Sequence, residues 1–424
     1  MALKDYENDM MRCCRCSECK WVPQAMISGY KYAQVCPSIS RYNFHAYSAG
    51  GRLAIGLSVL QERIGYTNDY LDILYRCQMC GACDVSCKSN KDMEPLAINQ
   101  ELKFKAVEDG QLVPAHMLVI DGLRKEDNMM LAKKADRGKW AEGLDVKDIN
   151  EEKAEVYFHA GCRYSFDEEL WPVARAAVNL LQKAGLDIGI AVKDENCCGG
   201  RAYELGYQGE FVKYAENNAE MLKTHGIKTV VTPCSDCYHA FKVLYHKLGL
   251  KNDVEVLHIT EYLDRLIKDG KLKIDKNINM KVTYHDPCHL GRMGEPFIPW
   301  DGEEKIVFNQ VYVYDPPKPW RKGTNGIYQP PRDVIQSIPG VELVEMERIK
   351  EYAWCCGAGG GVIDAYPDFA IWSALERIEE AKSTGAEAMV TACPWCKRNF
   401  KDALADSGDG LKILDIVELL EQAT

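Results

Sequence analysis

The sequence predicts an α/β protein in which a mainly α-helical N-terminal module is followed by two copies of one α/β unit. Three observations predict this. Short β-rich runs alternate with amphipathic helical patterns, four sequence blocks recur in the same order, and closely spaced cysteines crowd the N-terminal part. Strands that alternate with helices build parallel sheets with helices on their faces. In chain order we predict a module at 1–112, a helical linker at 113–152, a first unit at 153–276, and a second unit at 277–424 with an insert at 293–331.

The N-terminal module carries two runs of cysteines, RCCRCSECK and RCQMCGACDVSCK. In bacterial two-cluster ferredoxins three closely spaced cysteines bind one cubane [4Fe–4S] cluster, and the fourth ligand comes from the other run. This pattern predicts one cluster on Cys13, Cys16, Cys19 and Cys87, and a second on Cys36, Cys77, Cys80 and Cys83.

Two features of this module depart from the simple pattern. Cys36 follows Cys19 only after a long stretch, which must loop out, and YKYAQV provides a structured return. Cys14 is spare and is expected to be a buried, unreactive thiol. The helix predicted at 93–110 has Pro95 near its start.

Four blocks occur twice, which indicates a duplication. VYFHAGC matches VTYHDPC, ENCCGG matches AWCCGA, TVVTPCSDCYHAFK matches AMVTACPWCKRNFK, and EVLHITEYL matches KILDIVELL. The β-rich starts of these blocks are predicted strands, and the helical patterns between them end at Gly185, Gly226 and Gly385. Each unit holds five cysteines: Cys162, Cys197, Cys198, Cys234 and Cys237 in the first, and Cys288, Cys355, Cys356, Cys393 and Cys396 in the second.

These five thiolates are predicted to converge, because ligands bind beyond the carboxyl ends of parallel strands. Five exceed the four that a cubane cluster takes. In a Cys-Cys pair one thiolate can cap an iron while its neighbour bridges two, and the glycines that follow let backbone approach a bulky cluster. Each unit therefore predicts an unusual iron–sulfur cluster.

Composition narrows the class of protein. The chain has 424 residues and a net charge of −11, which argues against nucleic acid as a partner. Its longest apolar run, 52–60, is too short for a membrane span, and the N-terminus lacks a signal core. Nineteen cysteines in such a chain are expected to be metal ligands in a reducing compartment, so we predict a cytoplasmic protein.

On these motifs the chain resembles the heterodisulfide reductase family, in particular its D-type member, which looks like a fusion of the C-type and B-type members. The resemblance covers nearly the whole chain. It implies that each Cys-Cys-Gly (CCG) domain binds a noncubane [4Fe–4S] cluster through its five cysteines. The resemblance therefore implies two cubane and two noncubane clusters in this chain.

The resemblance implies a redox subunit that passes electrons from the cubane to the noncubane clusters within an anaerobic complex. Implied partners are a flavin-binding heterodisulfide reductase A-like subunit, a terminal reductase, or both, and a class II benzoyl-CoA reductase is one possible recipient. One alternative is catalytic reduction of a disulfide or heterodisulfide. An alternative from another class is a non-redox protein that binds zinc, although zinc takes four ligands and these runs supply more. No catalytic residue is assigned.

Some features stay open on sequence alone. His159 and His285 precede the first cysteine of each unit, and either tune a cluster or pack at a strand end. The glycine-rich stretch 357–361 lacks the third glycine of a dinucleotide loop. The insert, rich in aromatics, is predicted to contain a strand or hairpin in KIVFNQVYVYD and to be either a docking element or a lid.

Overall fold

The computed structural model describes residues 2–88, 91, 93–192, 194–250, 253–308, 311–405 and 410–424. The N-terminal module is mainly helical. Its helices are α1 (Glu7–Arg12), α2 (Pro37–Tyr42), α3 (Ala49–Leu60), α4 (Asn68–Tyr75), α5 (Ala82–Lys88) and α6 (Pro95–Glu108). α6 begins at Pro95 as predicted, since proline has no N–H to leave unpaired in the first turn. A core that includes Leu53, Leu74, Ile98 and Leu102 holds α3, α4 and α6 together.

The stretch between Cys19 and Cys36 loops out and returns as a short ribbon, as predicted. Trp21 and Gln34 form an antiparallel bridge. The Val22 N–H donates to the Ala33 carbonyl at 2.8 Å. This ribbon delivers Cys36 to the start of α2, on the same side of the module as Cys77–Cys83.

The segment 113–152 packs against the first unit. Helix α7 (Pro114–Glu126) is followed by irregular chain, in which Trp140 is buried in the core of the first unit. Strand β1 (Lys147–Asp148) then joins the edge of the first sheet, parallel to β3. The predicted domain boundaries stay predictions, but the segment contributes structure to the first unit in addition to connecting it.

The first unit has a five-stranded parallel sheet in the order β1-β3-β2-β4-β5. Its further strands are β2 (Val156–Phe158), β3 (Ile188–Ile190), β4 (Thr229–Thr232) and β5 (Glu255–His258). Its helices are α8 (Gly161–Phe166), α9 (Trp171–Lys183), α10 (Gly200–Leu205), α11 (Gln208–Thr224), α12 (Ser235–His239), α13 (Tyr245–Lys247) and α14 (Ile259–Lys268).

The second unit has a four-stranded parallel sheet in the order β11-β10-β6-β9. Chain order gives the strands β6 (Met280–Tyr284), β7 (Glu303–Val307), β8 (Val311–Asp315), β9 (Val341–Leu343), β10 (Ala388–Thr391) and β11 (Lys412–Asp415). The helices are α15 (Gln329–Gln336), α16 (Val362–Ala365), α17 (Pro367–Ser383), α18 (Pro394–Ala405) and α19 (Ile416–Ala423).

The two sheets confirm the duplication, because β3-β2-β4-β5 and β9-β6-β10-β11 have the same order. The predicted helices end as expected: α9, α11 and α17 stop one or two residues before Gly185, Gly226 and Gly385. All three glycines have the positive φ of a helix C-cap.

The units share one hydrophobic core. Across their boundary the Tyr164 hydroxyl donates to Asp415 Oδ2 at 3.0 Å, and the Ser235 hydroxyl donates to the Ala392 carbonyl at 2.8 Å.

The insert contains the predicted hairpin, β7 and β8, which pair antiparallel. Residues 309 and 310, which lie between the two strands in the sequence, are outside the described part of the chain. No helix among the described residues has the length and apolar character needed to cross a membrane.

Candidate metal centres

In the first unit the five cysteines meet beyond the carboxyl ends of three strands. Cys162 follows β2, Cys197 and Cys198 follow β3, and Cys234 and Cys237 flank the start of α12 after β4. Thiol–thiol contacts join them in the order Cys162, Cys197, Cys198, Cys237, Cys234. All five are buried. The convergence expected from the topology is therefore present.

The second unit repeats this chain of thiol contacts in the same order: Cys288, Cys355, Cys356, Cys396, Cys393. Four of these are buried and Cys288 is half-buried. The order of contacts is a second, three-dimensional sign of the duplication, because it does not follow from the order of the residues along the chain.

The second cysteine of each Cys-Cys pair has a lowered pKa. Contacts with Cys197 and Cys237 lower the pKa of Cys198, although burial opposes this. Contacts with Cys355 and Cys396 lower the pKa of Cys356 in the same way. A lowered pKa favours the thiolate, which is the form that binds metal. The second cysteine of the pair is therefore suited to be a ligand in both units.

Histidines stand beside both sets of thiols. The imidazole of His285 lies within 4.8 Å of the Cys356 and Cys396 sulfurs. His159 and His285 each use Nδ1, toward the Tyr157 hydroxyl at 3.1 Å and the Arg377 guanidinium at 3.2 Å, respectively. The buried Nε2 atom of His159 has no hydrogen-bond partner within the described residues, whereas the imidazole of His285, whose Nδ1 accepts from Arg377, contacts the Cys356 thiol. Cluster sulfur would supply the acceptor that such a donor needs, so the residues present fit an iron–sulfur group.

Two buried arginines near the thiols were missed by the sequence analysis. Arg137, from the predicted linker, approaches Cys162 Sγ at 3.8 Å and pairs with Glu195 at 3.0 Å. Arg292 donates through Nε to the Cys80 carbonyl at 2.6 Å and through Nη1 to the Ala353 carbonyl at 2.7 Å. Neither arginine lies in a recognisable motif, so no local signal could have identified it.

A third missed feature lies between the units. His289 contacts Glu204 at 2.9 Å and Asp236 at 3.1 Å. Burial alone would lower its pKa, but Asp236, Cys288 and Glu204 together raise it well above the ordinary value. Asp236 comes from between Cys234 and Cys237, so the buried ion cluster joins the two thiol sites.

The N-terminal module brings the predicted ligands together in two groups. One small cavity is lined by Cys13, Cys16, Cys19 and Cys87, and another by Cys36, Cys77, Cys80 and Cys83. Both amide atoms of buried Gln78, which lines the second cavity, lack a partner among the described residues. A bound cluster would offer the Gln78 amide N–H a hydrogen-bond acceptor, as it would for His159. Cys14 is exposed, so its expected burial was wrong; it lies in the loop that wraps the first cavity.

The second N-terminal group touches the second α/β unit. The Cys80 and Cys355 thiols are in contact, and this contact lowers the pKa of Cys80 to about 5. Burial lowers the pKa of the Arg292 guanidinium, but the nearby Cys80, Cys288 and Cys355 thiols raise it above its ordinary value. Of the five-thiol sites, the second is therefore in direct contact with the N-terminal module.

The glycine-rich stretch forms the seam at this contact. A Cβ on Gly359 would come within 2.5 Å of the Gln78 carbonyl oxygen, and one on Gly360 would overlap the carbonyl of Cys77. Lys103 donates to the Gly360 carbonyl at 3.0 Å. These glycines thus allow the backbones of two modules to touch. Their expected role beside a cluster stays a prediction.

Comparison with known proteins agrees with this architecture. A family model described as a cysteine-rich (CCG) domain matches residues 156–242 and 320–401. The D-type component of the dihydromethanophenazine:CoB–CoM heterodisulfide reductase of Methanosarcina acetivorans is 31% identical, over 97% of this chain and 93% of that protein. The EtfAB:quinone oxidoreductase of Syntrophomonas wolfei is 27% identical, over 83% of this chain and 46% of that protein.

Among solved structures, a hypothetical protein from Helicobacter pylori matches with a TM-score of 0.55 at 10% identity, over 99% of this chain and 75% of that one. This likeness concerns the fold alone.

The fold, the thiol sites and these relatives define an iron–sulfur oxidoreductase subunit. More particularly, the chain belongs to the family of D-type heterodisulfide reductase proteins, as the sequence resemblance indicated.

Proposed function

We propose that the protein is an electron-transfer subunit whose eighteen predicted ligands hold two cubane and two noncubane [4Fe–4S] clusters. When bound, these clusters would supply one-electron chemistry, with entry at the N-terminal module and delivery to the α/β units. The observation that carries the proposal is the contact between the Cys80 and Cys355 thiols, because it joins a predicted ligand of the second cubane to a predicted ligand of a noncubane cluster.

The chain's own residues support this role in two ways. Burial of the five-thiol sites excludes water, which would otherwise attack exposed clusters. Arg137 and Arg292 place fixed positive charge beside Cys162 and beside the Cys80–Cys355 contact, respectively. Positive charge close to thiolates offsets their mutual repulsion and favours the reduced state of whatever they bind.

A second candidate function is reduction of a disulfide substrate. It is favoured by the adjacency of the two five-thiol sites, across which Ser235 donates to Ala392, and by the buried ion cluster around His289. The matched Methanosarcina protein is named as part of a heterodisulfide reductase. Such a disulfide would take up two electrons, delivered one at a time, and two protons, and would be released as two thiols.

The expected partners, a flavin-binding subunit and a terminal reductase, remain part of this proposal, as do a cytoplasmic location and a link to class II benzoyl-CoA reduction. None of the nineteen cysteines, all of which lie in described ranges, is in a disulfide, which agrees with a reducing compartment.

The test is metal and sulfide analysis of protein purified without oxygen. We expect about sixteen irons per chain, at about four per cluster. Cys16→Ser should lose the first cubane and Cys14→Ser should not, which provides a matched pair within one loop. A colourless protein that contains zinc and no iron would overturn the proposal in favour of the zinc-binding alternative.

A further inference from the structure

The loop at 13–20, here called the entry rim, exposes the first N-terminal thiol group. Cys14 and Cys16 are exposed, unlike the buried cysteines of the α/β units. Arg15 is exposed as well. Burial lowers the pKa of the nearby His45 imidazole, and the positive charges of Lys20 and Arg15 lower it further. In a chain of net charge −11, the entry rim carries two basic side chains, Arg15 and Lys20, and one acidic side chain, Glu18.

The hairpin β7–β8 stands beside the entry rim. The Arg12 guanidinium lies 3.6 Å from the centre of the Tyr312 ring. Arg12 is the last residue of α1 and immediately precedes Cys13. Tyr312 pairs with Ile306 across the hairpin, so this face of the hairpin is directed toward α1.

The opposite face of the hairpin is exposed and combines three valines with the charged residues Glu303, Lys305 and Asp315. Val307 pairs with Val311, and Lys305 pairs with Val313, so these side chains share that face. All three valines are at least 38% exposed, and Phe308 at the tip is 89% exposed. In the described part of the chain the hairpin forms a sheet of its own. A lone two-stranded sheet is marginally stable in water, and an exposed apolar surface of this kind marks an interaction site.

We propose that the entry rim and the hairpin form one docking surface for an electron-transfer protein whose docking face is acidic around its own redox centre and apolar beside it. This rests on the proposed entry of electrons at the N-terminal module. Carboxylates of the partner would oppose Arg15 and Lys20, which steer association, while the valine face and Phe308 bury apolar area. The exposed thiols of the entry rim give such a partner close access that the buried sites do not.

The occupant can be identified by photo-crosslinking inside the native host. A photoreactive phenylalanine analogue at Phe308 of the tagged full-length chain is compared with the same analogue at Leu118, a 58% exposed residue on α7. We expect Phe308, and not Leu118, to crosslink to a flavin- or iron–sulfur-containing protein. A crosslink to a second copy of this chain, to the chain itself as a lid, or to a protein without a redox group overturns the proposal, and so does the absence of a crosslink.

Binding to the identified partner then tests both halves of the surface. We expect Arg15→Glu/Lys20→Glu to weaken binding at least tenfold at low ionic strength and to remove most of its salt dependence. Val311→Asp/Val313→Asp should weaken it at least tenfold at every salt concentration. Leu118→Asp is the control with unchanged affinity, and iron content checks that each variant is folded and loaded. Unchanged affinity in either double variant would disprove that half, whereas a wild-type chain without iron would instead defeat the proposed function.

Discussion

The two α/β units contain the same chain of five thiols but have different surroundings. In the first unit Cys162 is one end of the series of contacting thiols. Arg137, from the segment that precedes the unit, approaches its sulfur. In the second unit Cys355 contacts Cys80 of the N-terminal module. The duplication thus preserved the arrangement of the predicted ligands and changed what borders them. It gives the two thiol sites unequal surroundings, because the second contacts a predicted ligand of the N-terminal module and the first faces Arg137.

The largest expected effect is loss of one unit's cluster and not the other's. Cys356→Ser should remove about four irons and the signal of the second unit, while Cys198→Ser should do the same for the first. Iron quantification and EPR spectra of the two variants would show this. A Cys356→Ser protein with full iron and an unchanged spectrum would contradict the five-thiol ligand set of that unit.

The seam between the second unit and the N-terminal module can be broken directly. Gly360→Ala adds a methyl group against the Cys77 carbonyl and forces a non-glycine residue to φ +66°. We expect a loss of about 3 kcal/mol in the free energy of unfolding, from overpacking and backbone strain together. Gly209→Ala, in a helix of the first unit with no atom within 4 Å of the new Cβ, should be neutral or stabilising. Chemical denaturation of both variants measures the difference; equal stability would show that the seam tolerates a side chain.

Because the second five-thiol site contacts Cys80, a change at Cys80 should affect the second unit more than the first. Cys80→Ala should remove the second cubane and also alter the spectrum of the second unit, because Cys355 loses its neighbour. The signals of the first unit should stay as in the wild type. Loss of both units' signals in a protein that is still folded would show that the units are not separable in this way.

The smallest expected effect concerns the first unit alone. Arg137→Gln removes a buried positive charge beside Cys162 and should lower the reduction potential of that unit on the order of 50 mV, since a tenfold change in a one-electron equilibrium is about 59 mV. Arg137→Lys keeps the charge and should shift the potential less. Redox titration of both variants, with thermal melts to check folding, measures this. A shift in the reduction potential of the second unit, and not of the first, would contradict the assignment of Arg137 to the first unit.

Much of this architecture could be predicted from sequence, because it depends on the spacing of residues that are close together in the chain. Cysteines three residues apart, repeated blocks and glycines after helical patterns each depend on a few neighbouring residues. The groupings around Cys19 and Cys36 followed from a known ligand pattern, and the structure brings those residues together.

What could not be predicted arises between distant segments. The Cys80–Cys355 contact, the approach of Arg137 to Cys162 and the ion cluster around His289 join parts of the chain that no local pattern connects. The exposure of Cys14 was missed for a similar reason, since burial of a thiol depends on which modules cover it.

The glycine seam has a consequence for how the protein matures. Where Gly359 and Gly360 touch the backbone of Gln78 and Cys77, the two modules meet without side chains between them, and the Cys80 and Cys355 thiols at this contact are buried. We therefore expect the sites on both sides of the seam to be loaded before the modules close. Time-resolved labelling with an iron isotope during synthesis would show that iron no longer enters once the closed form has accumulated.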